Sequence, residues 1–216
     1  MLERGKGTGI MLIKTFEVGQ LSTNCYIVTD EQSLKCAVID PGAESGTLLD
    51  YIEENGLTVE AYLLTHGHFD HTMALNNMLA ERPAPVYINE KDVYTDGPGD
   101  SYKLHVAPGA VNNYGEGDCV QVGALKFYVI ETPGHSAGSV TLMCGRALFT
   151  GDTLFRGSCG RTDLPGSDAT AMLKSLRRLA KIDAEFEVYP GHMESSTLSV
   201  EKASNYFIQY AMSIPE

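Results

Sequence analysis

The sequence predicts a layered α/β domain built on mixed β-sheets. Short apolar runs of strand length alternate with amphipathic helical stretches. The same gross order, β-rich and then α, β, α, occurs twice without a sequence-level repeat, which suggests two similar halves packed sheet to sheet. Four of the strand-like runs end in loops bearing His or Asp, the place where α/β folds build sites.

Each element has its own signal. Residues 12–18, 24–28 and 35–39 read as strands bounded by Gly19, Thr29-Asp30 and Pro41-Gly42. Residues 47–55 place Leu48, Leu49 and Ile52 on one side of a helix, and Gly56 supplies its stop. A strand at 59–64, a helix through Met73, Leu75 and Leu79, and a short strand at 86–88 follow. Residues 92–118 hold Gly97-Pro98-Gly99, Pro108-Gly109 and Gly115, with Tyr94, Tyr102 and Tyr114 among them. A loop of this length reads either as a substrate lid or as a surface excursion. Strands at 119–122, 125–130, 139–143 and 147–150 come next. Residues 168–182 form an amphipathic helix with Met172, Leu176, Leu179 and Ile182 inward. A strand at 185–189 and one helix from about Val200 complete the pattern.

The 216 residues are 43% hydrophobic and 20% charged, which excludes collagen-like, low-complexity and mostly disordered chains. Residues 11–216 are expected to form a single domain. Residues 1–10 carry Lys and Arg but no apolar stretch, so a disordered leader is expected rather than a secretory signal. No run approaches the ~20 apolar residues of a membrane span. The net charge of −12 argues against nucleic acid and anionic membrane surfaces as partners. Five scattered cysteines (Cys25, Cys36, Cys119, Cys144 and Cys159) without a C-x-x-C pair point to a reducing cytoplasm. Cys25, Cys36 and Cys144 read as small core hydrophobes, and Cys159 either as a reactive thiol or as a merely small residue.

The histidines are concentrated. His66, His68 and His71 fall within Thr65-His66-Gly67-His68-Phe69-Asp70-His71, His135 within Thr132-Pro133-Gly134-His135-Ser136, and His192 within Tyr189-Pro190-Gly191-His192. Asp152 follows the apolar run ending Phe149-Thr150-Gly151, and His105 stands apart, reading as a surface residue or a hydrogen-bonded core residue. Imidazole with carboxylate and no accompanying cysteine suits Zn²⁺, with Fe or Mn also accommodated. Five His and two Asp are too many for one four-coordinate ion and suit two divalent metal ions. His66 and His68, two apart in an extended segment, reach one side, and His135 completes that site. Asp70 and His71 begin a helix and reach a neighbouring position completed by His192, while Asp152 can bridge. Two metals sharing a hydroxide make a hydrolytic centre.

These segments, with Val38-Ile39-Asp40-Pro41-Gly42, Thr150–Phe155 and Gly160-Arg161-Thr162-Asp163, resemble the metallo-β-lactamase superfamily, and most closely its glyoxalase II-like branch. The resemblance implies an αββα sandwich of two mixed sheets flanked by helices. It assigns His66, His68 and His135 to a first metal, Asp70, His71 and His192 to a second, and Asp152 to the bridge. It implies a thioesterase acting on a hydroxyacylglutathione-like small molecule, with Asp70 ligating a metal and orienting the nucleophile. The alternatives are a mononuclear Fe(II) persulfide dioxygenase using His66, His135 and Asp152, and a lactone or ester hydrolase. Class B β-lactamases typically carry Cys at the position of Asp152, which argues against antibiotic hydrolysis. Arg161 reads either as a clamp for a substrate carboxylate or as a local ion pair with Asp163. With one helix expected after His192, the glutathione contacts of full-length glyoxalase II are incomplete or differently built, and the thiol carrier stays open.

Overall fold

The computed structural model describes residues 11–94, 102–105 and 109–215. The first half contains β1 (Met11–Val18), β2 (Thr23–Asp30), β3 (Lys35–Ile39), α1 (Ser45–Glu54), β4 (Thr58–Leu63), α2 (Phe69–Thr72), α3 (Leu75–Glu81) and β5 (Val86–Ile88). A 3₁₀ turn (Glu90–Asp92) leads to the short strands β6 (Val93–Tyr94), β7 (Leu104–His105) and β8 (Asn112–Asn113). The second half contains β9 (Cys119–Val122), β10 (Leu125–Glu131), β11 (Val140–Cys144), β12 (Ala147–Gly151), β13 (Leu154–Phe155) and β14 (Ser158–Cys159). Helix α4 (Ala169–Ala180), β15 (Glu187–Pro190), β16 (Ser196–Thr197), α5 (Leu198–Ser204) and α6 (Tyr206–Ser213) follow.

Two six-stranded sheets form, in the orders β1-β2-β3-β4-β5-β8 and β16-β15-β12-β11-β10-β9. Both are mixed. In the first, β1, β2 and β3 pair antiparallel and β3, β4, β5 and β8 pair parallel. In the second, β9 to β12 are antiparallel and β12 pairs parallel with β15.

Side-chain alternation explains the layers. On β2, Tyr26 and Val28 face the space between the sheets, where they join Ala37, Ile39, Phe127, Leu142 and Phe149. Cys25 and Ile27, on the opposite face, pack with Leu48 and Ile52 of α1 and Leu75 and Met78 of α3. On the second sheet, Leu148 and Val188 pack outward against Met172, Leu176 and Leu179 of α4 and Ile208 of α6. Both faces of the central strands are therefore buried, which is why they read as nearly continuous apolar runs. The architecture is the expected αββα sandwich, and the three expected core cysteines are buried.

Some local expectations need correction. The helix expected through Met73 is two pieces, α2 and α3; Met73 is 63% exposed, and the next residue, Ala74, donates its N–H to the Pro41 carbonyl. The last helix is also two pieces, because Asn205 ends α5 and its side chain caps α6 through Phe207 N and Ile208 N. Within 92–118, Tyr114 is a core residue whose hydroxyl donates to the Leu64 carbonyl at 2.8 Å. The expected leader at 1–10 lies outside the described residues, as do 95–101 and 106–108 of the expected loop. Among the described residues, no helix is long and apolar enough to cross a membrane.

Candidate metal centre

Four loops leave the ends of β4, β10, β12 and β15 and converge. After β4 the chain stays extended through His66-Gly67-His68, and His68 sits at the N-cap of α2 with φ −66° and ψ 148°. The short helix then presents Asp70 and His71 one after the other. His135, Asp152 and His192 arrive on the loops after β10, β12 and β15.

Ligand atoms of His66, His68 and His135 lie within 4.8 Å of one another, and so do those of Asp70, His71 and His192. His68 Nδ1 and His135 Nε2 are 2.8 Å apart. His71 Nε2 is 3.6 Å from Asp70 Oδ2, and His192 Nε2 is 3.4 Å from the same oxygen. Asp152 stands between the groups: Oδ1 is 3.3 Å from His71 Nε2, and Oδ2 is 3.3 Å from His135 Nε2 and 3.4 Å from His192 Nε2. All seven expected residues are thus brought together.

Four buried polar atoms here have no hydrogen-bond partner: His66 Nε2, His68 Nε2, His71 Nε2 and Asp152 Oδ1. Each such orphan costs about 1–3 kcal/mol. Imidazole nitrogen and carboxylate oxygen are the donor set of a divalent transition metal, so the residues fit the expected ions.

The outward nitrogens of four of the five rings, those of His66, His71, His135 and His192, are held. His66 Nδ1 is 3.0 Å from Thr65 Oγ1, which donates to Asp40 Oδ2 at 2.6 Å. The same Asp40 oxygen is 2.9 Å from His71 Nδ1, so one buried carboxylate orients histidines of both groups. His135 Nδ1 bonds the Arg161 carbonyl at 2.9 Å, and His192 Nδ1 bonds the Leu21 carbonyl at 3.0 Å. Across the sheets, Asn24 donates to the Pro190 and Met193 carbonyls at 3.0 and 2.8 Å, fixing the loop of His192. Gly191 is required there, because a Cβ would overlap Asp152 Oδ1.

The two groups differ electrostatically. Burial and the neighbouring His71 hold His66 well below the usual imidazole range, and burial with His135 brings His68 down to about 4. Burial opposes charge on His71 too, but Asp152 and Asp40 outweigh it and hold the ring protonated well above the usual range. Against burial, the hydrogen bonds that His192 donates to Asp152 and Asp70 push it up to about 10. Asp152 is held well below the carboxylate range by His71 and His192, and Asp70 is lowered by His192, in both cases against burial. Protons on His71 and His192 therefore balance the carboxylates that a cation would otherwise balance.

Away from the cluster, the Arg161 guanidinium pairs with both Asp163 oxygens, at 2.6 and 2.8 Å. This is the local ion pair of the two expected readings. Cys159 is half-buried, and burial pushes its thiol up to about 11, which disfavours the reactive thiolate. Tyr102 meets His68 edge-on at 5.7 Å, and Tyr94 stacks on His105 at 4.7 Å. Sequence reasoning assigned no role to Asp40, Thr23 or Asn24. Asp40 had a signal: a carboxylate before Pro41-Gly42 at a strand end, here at φ +51°. Thr23, which donates to Asp70 at 3.1 Å, and Asn24 had none.

A family model described as Metallo-beta-lactamase superfamily matches residues 18–192. The hydroxyacylglutathione hydrolase GloC of Haemophilus influenzae is 30% identical, over 92% of this chain and 98% of its own. The crystal structure of the BLEG-1 B3 metallo-beta-lactamase is similar with a TM-score of 0.82 at 30% identity, covering 91% of this chain and 99% of its own. A protein crystallised in a di-iron-bound form has a TM-score of 0.77 at 35% identity, covering 90% and 99%. The superfamily expectation holds, but these relatives do not single out its glyoxalase II branch.

Proposed function

This chain belongs to the metallo-beta-lactamase superfamily, and from that premise we propose that it is a binuclear metal-dependent thioesterase acting on hydroxyacylglutathione-like substrates. The observation that carries the two-ion reading is the single Asp152 carboxylate shared at 3.3–3.4 Å by His71, His135 and His192, beside buried ligand atoms without partners. In this reading His66, His68 and His135 hold one ion, Asp70, His71 and His192 the other, and Asp152 both. Similarity to GloC supports the thioester substrate. Zinc is the first expectation for the metal, and the di-iron relative supports iron as the other.

Bound there, two divalent ions would supply a hydroxide nucleophile at neutral pH and would polarise the acyl oxygen. The protein's own part is positional. Thr23 fixes the Asp70 carboxylate by donating to Oδ2. Asp70 accepts a hydrogen bond from the attacking water and aims it at the acyl carbon. The Asp40 carboxylate and the Leu21 and Arg161 carbonyls keep His71, His192 and His135 in one tautomer, with the other nitrogen inward. Tyr102 closes one side over His68. The departing thiolate needs no general acid, since a thiol ionises near pH 8.5.

The test is thiol release from S-lactoylglutathione by zinc-loaded and iron-loaded protein, each against a metal-stripped control. Metal-dependent release is expected. Its absence, with turnover of a β-lactam, a lactone or, in the iron form, glutathione persulfide, overturns the thioesterase reading in favour of that chemistry.

A further inference from the structure

Asp92 is a buried carboxylate that neither the ligand set nor the mechanism uses. It ends the 3₁₀ turn before β6. Its Oδ2 accepts from Gly67 N at 3.0 Å and from Ser136 Oγ at 2.5 Å, and its Oδ1 accepts from Gly138 N at 2.7 Å. Gly67 lies between His66 and His68, and Ser136 follows His135. One side chain therefore joins the two loops that carry the three all-imidazole ligands. The contact is close on both sides. A Cβ on Gly138 would come within 2.7 Å of Asp92 Cγ, and one on Gly67 would overlap the Asp92 carbonyl. Hydrogen bonds to an ionised carboxylate are short and strong, so this link is stiff.

We propose that Asp92 is the positioning residue of the His66/His68/His135 group, setting the separation of its two loops and hence the fit of one ion. The other group is held without Asp92, by the Leu21 carbonyl and by Asp40, which also reaches His66 through Thr65. The proposal rests on the two-ion reading above. Ligand geometry must be kept within about 0.5 Å to be productive. His68 Nδ1 and His135 Nε2 stand 2.8 Å apart on different loops, so a small relative shift changes how they close on an ion.

The test is a stepwise zinc titration against a competing chelator. It uses wild type, Asp92→Asn, Ser136→Ala and, as a comparison, Glu201→Gln. Glu201 is another buried carboxylate that fastens a loop, accepting from Gly157 N at 2.8 Å and Ser196 Oγ at 2.5 Å, remote in sequence from the all-imidazole group. Wild type is expected to bind two ions in resolvable steps. Asp92→Asn keeps the shape but offers one acceptor to three donors, and is expected to weaken one step about 10–100-fold while leaving the other unchanged. Ser136→Ala is expected to weaken the same step less. Glu201→Gln is expected to lower the melting temperature and leave both steps intact. If Asp92→Asn does not fold, the Ser136→Ala step decides. Equal affinities in wild type and the Asp92 or Ser136 variant overturn the positioning role alone. Equal weakening of both steps also overturns it. A wild type that holds fewer than two ions overturns the two-ion reading beneath it.

Discussion

The two halves of the candidate metal centre are built from different chemistry. The His66/His68/His135 group is all imidazole, and burial favours neutral His66 and His68. The Asp70/His71/His192 group is half carboxylate in character, because Asp152 and Asp40 lean on it, and its two histidines hold their protons. The first group is ready to bind a cation without losing a proton. The second must release protons to do so. Similar residue types thus give two sites of unlike charge, and the neighbouring carboxylates make the difference.

The hardest blow to this contrast is Asp152→Ala, which removes the residue shared by both groups. Loss of both ions and a fall of more than about 100-fold in kcat/KM are expected, since even indirect metal partners cost 10–100-fold. Metal analysis of the purified variant checks it, and two retained ions with near-normal turnover would sink the bridging assignment.

Single-ligand variants sharpen the comparison. His135→Ala and His192→Ala are each expected to leave one ion bound per chain. Raising the pH should tighten metal binding strongly in His135→Ala, where the proton-holding group survives, and weakly in His192→Ala. Zinc affinities measured at several pH values read this directly.

The metal-free protein should show both signs at once. The proton on His192 is held up to about pH 10, against an ordinary value of 6.5, so its stabilisation is full below 6.5 and is lost as pH rises towards 10. His68, brought down to about 4, resists protonation in the fold, so stability is also lost as pH falls from 6.5 towards 4. A melting-temperature maximum near neutrality is expected for stripped protein, and a flatter profile once metal is bound. A stripped protein that grows steadily more stable from pH 7 to 10 would contradict the charge assignment.

The smallest effect is expected from Arg161→Ala. Its guanidinium is exposed and already paired with Asp163, so KM should change by no more than about twofold, as for most surface ion pairs. A KM rise of tenfold or more on an anionic substrate would instead revive the carboxylate clamp. Asp163→Ala, which frees the guanidinium, would then lower KM.

Much of this is legible in the sequence. The strand runs that ended in His or Asp were legible because both faces of the central strands are buried, which makes them nearly pure apolar segments. Gly56 was legible as a helix stop and takes φ +62°. The breaks at Met73 and Asn205 were not, because apolar periodicity continues across both while the backbone turns. Nor were the two-residue strands β13, β14 and β16, which are too short to show a period.

What the sequence determined by itself is which residues come together in the candidate metal centre. The ligands come in short segments whose local conformation, extended and then helical, already turns neighbouring side chains to different places. The tertiary structure alone decided how those residues are held and charged. Asp40 reaches His71 across 31 positions, Asp92 reaches Ser136 across 44, and Asn24 reaches Pro190 across 166. Such contacts leave no periodicity or spacing in the chain. They exist only because two sheets pack face to face and bring four strand ends within one carboxylate's reach.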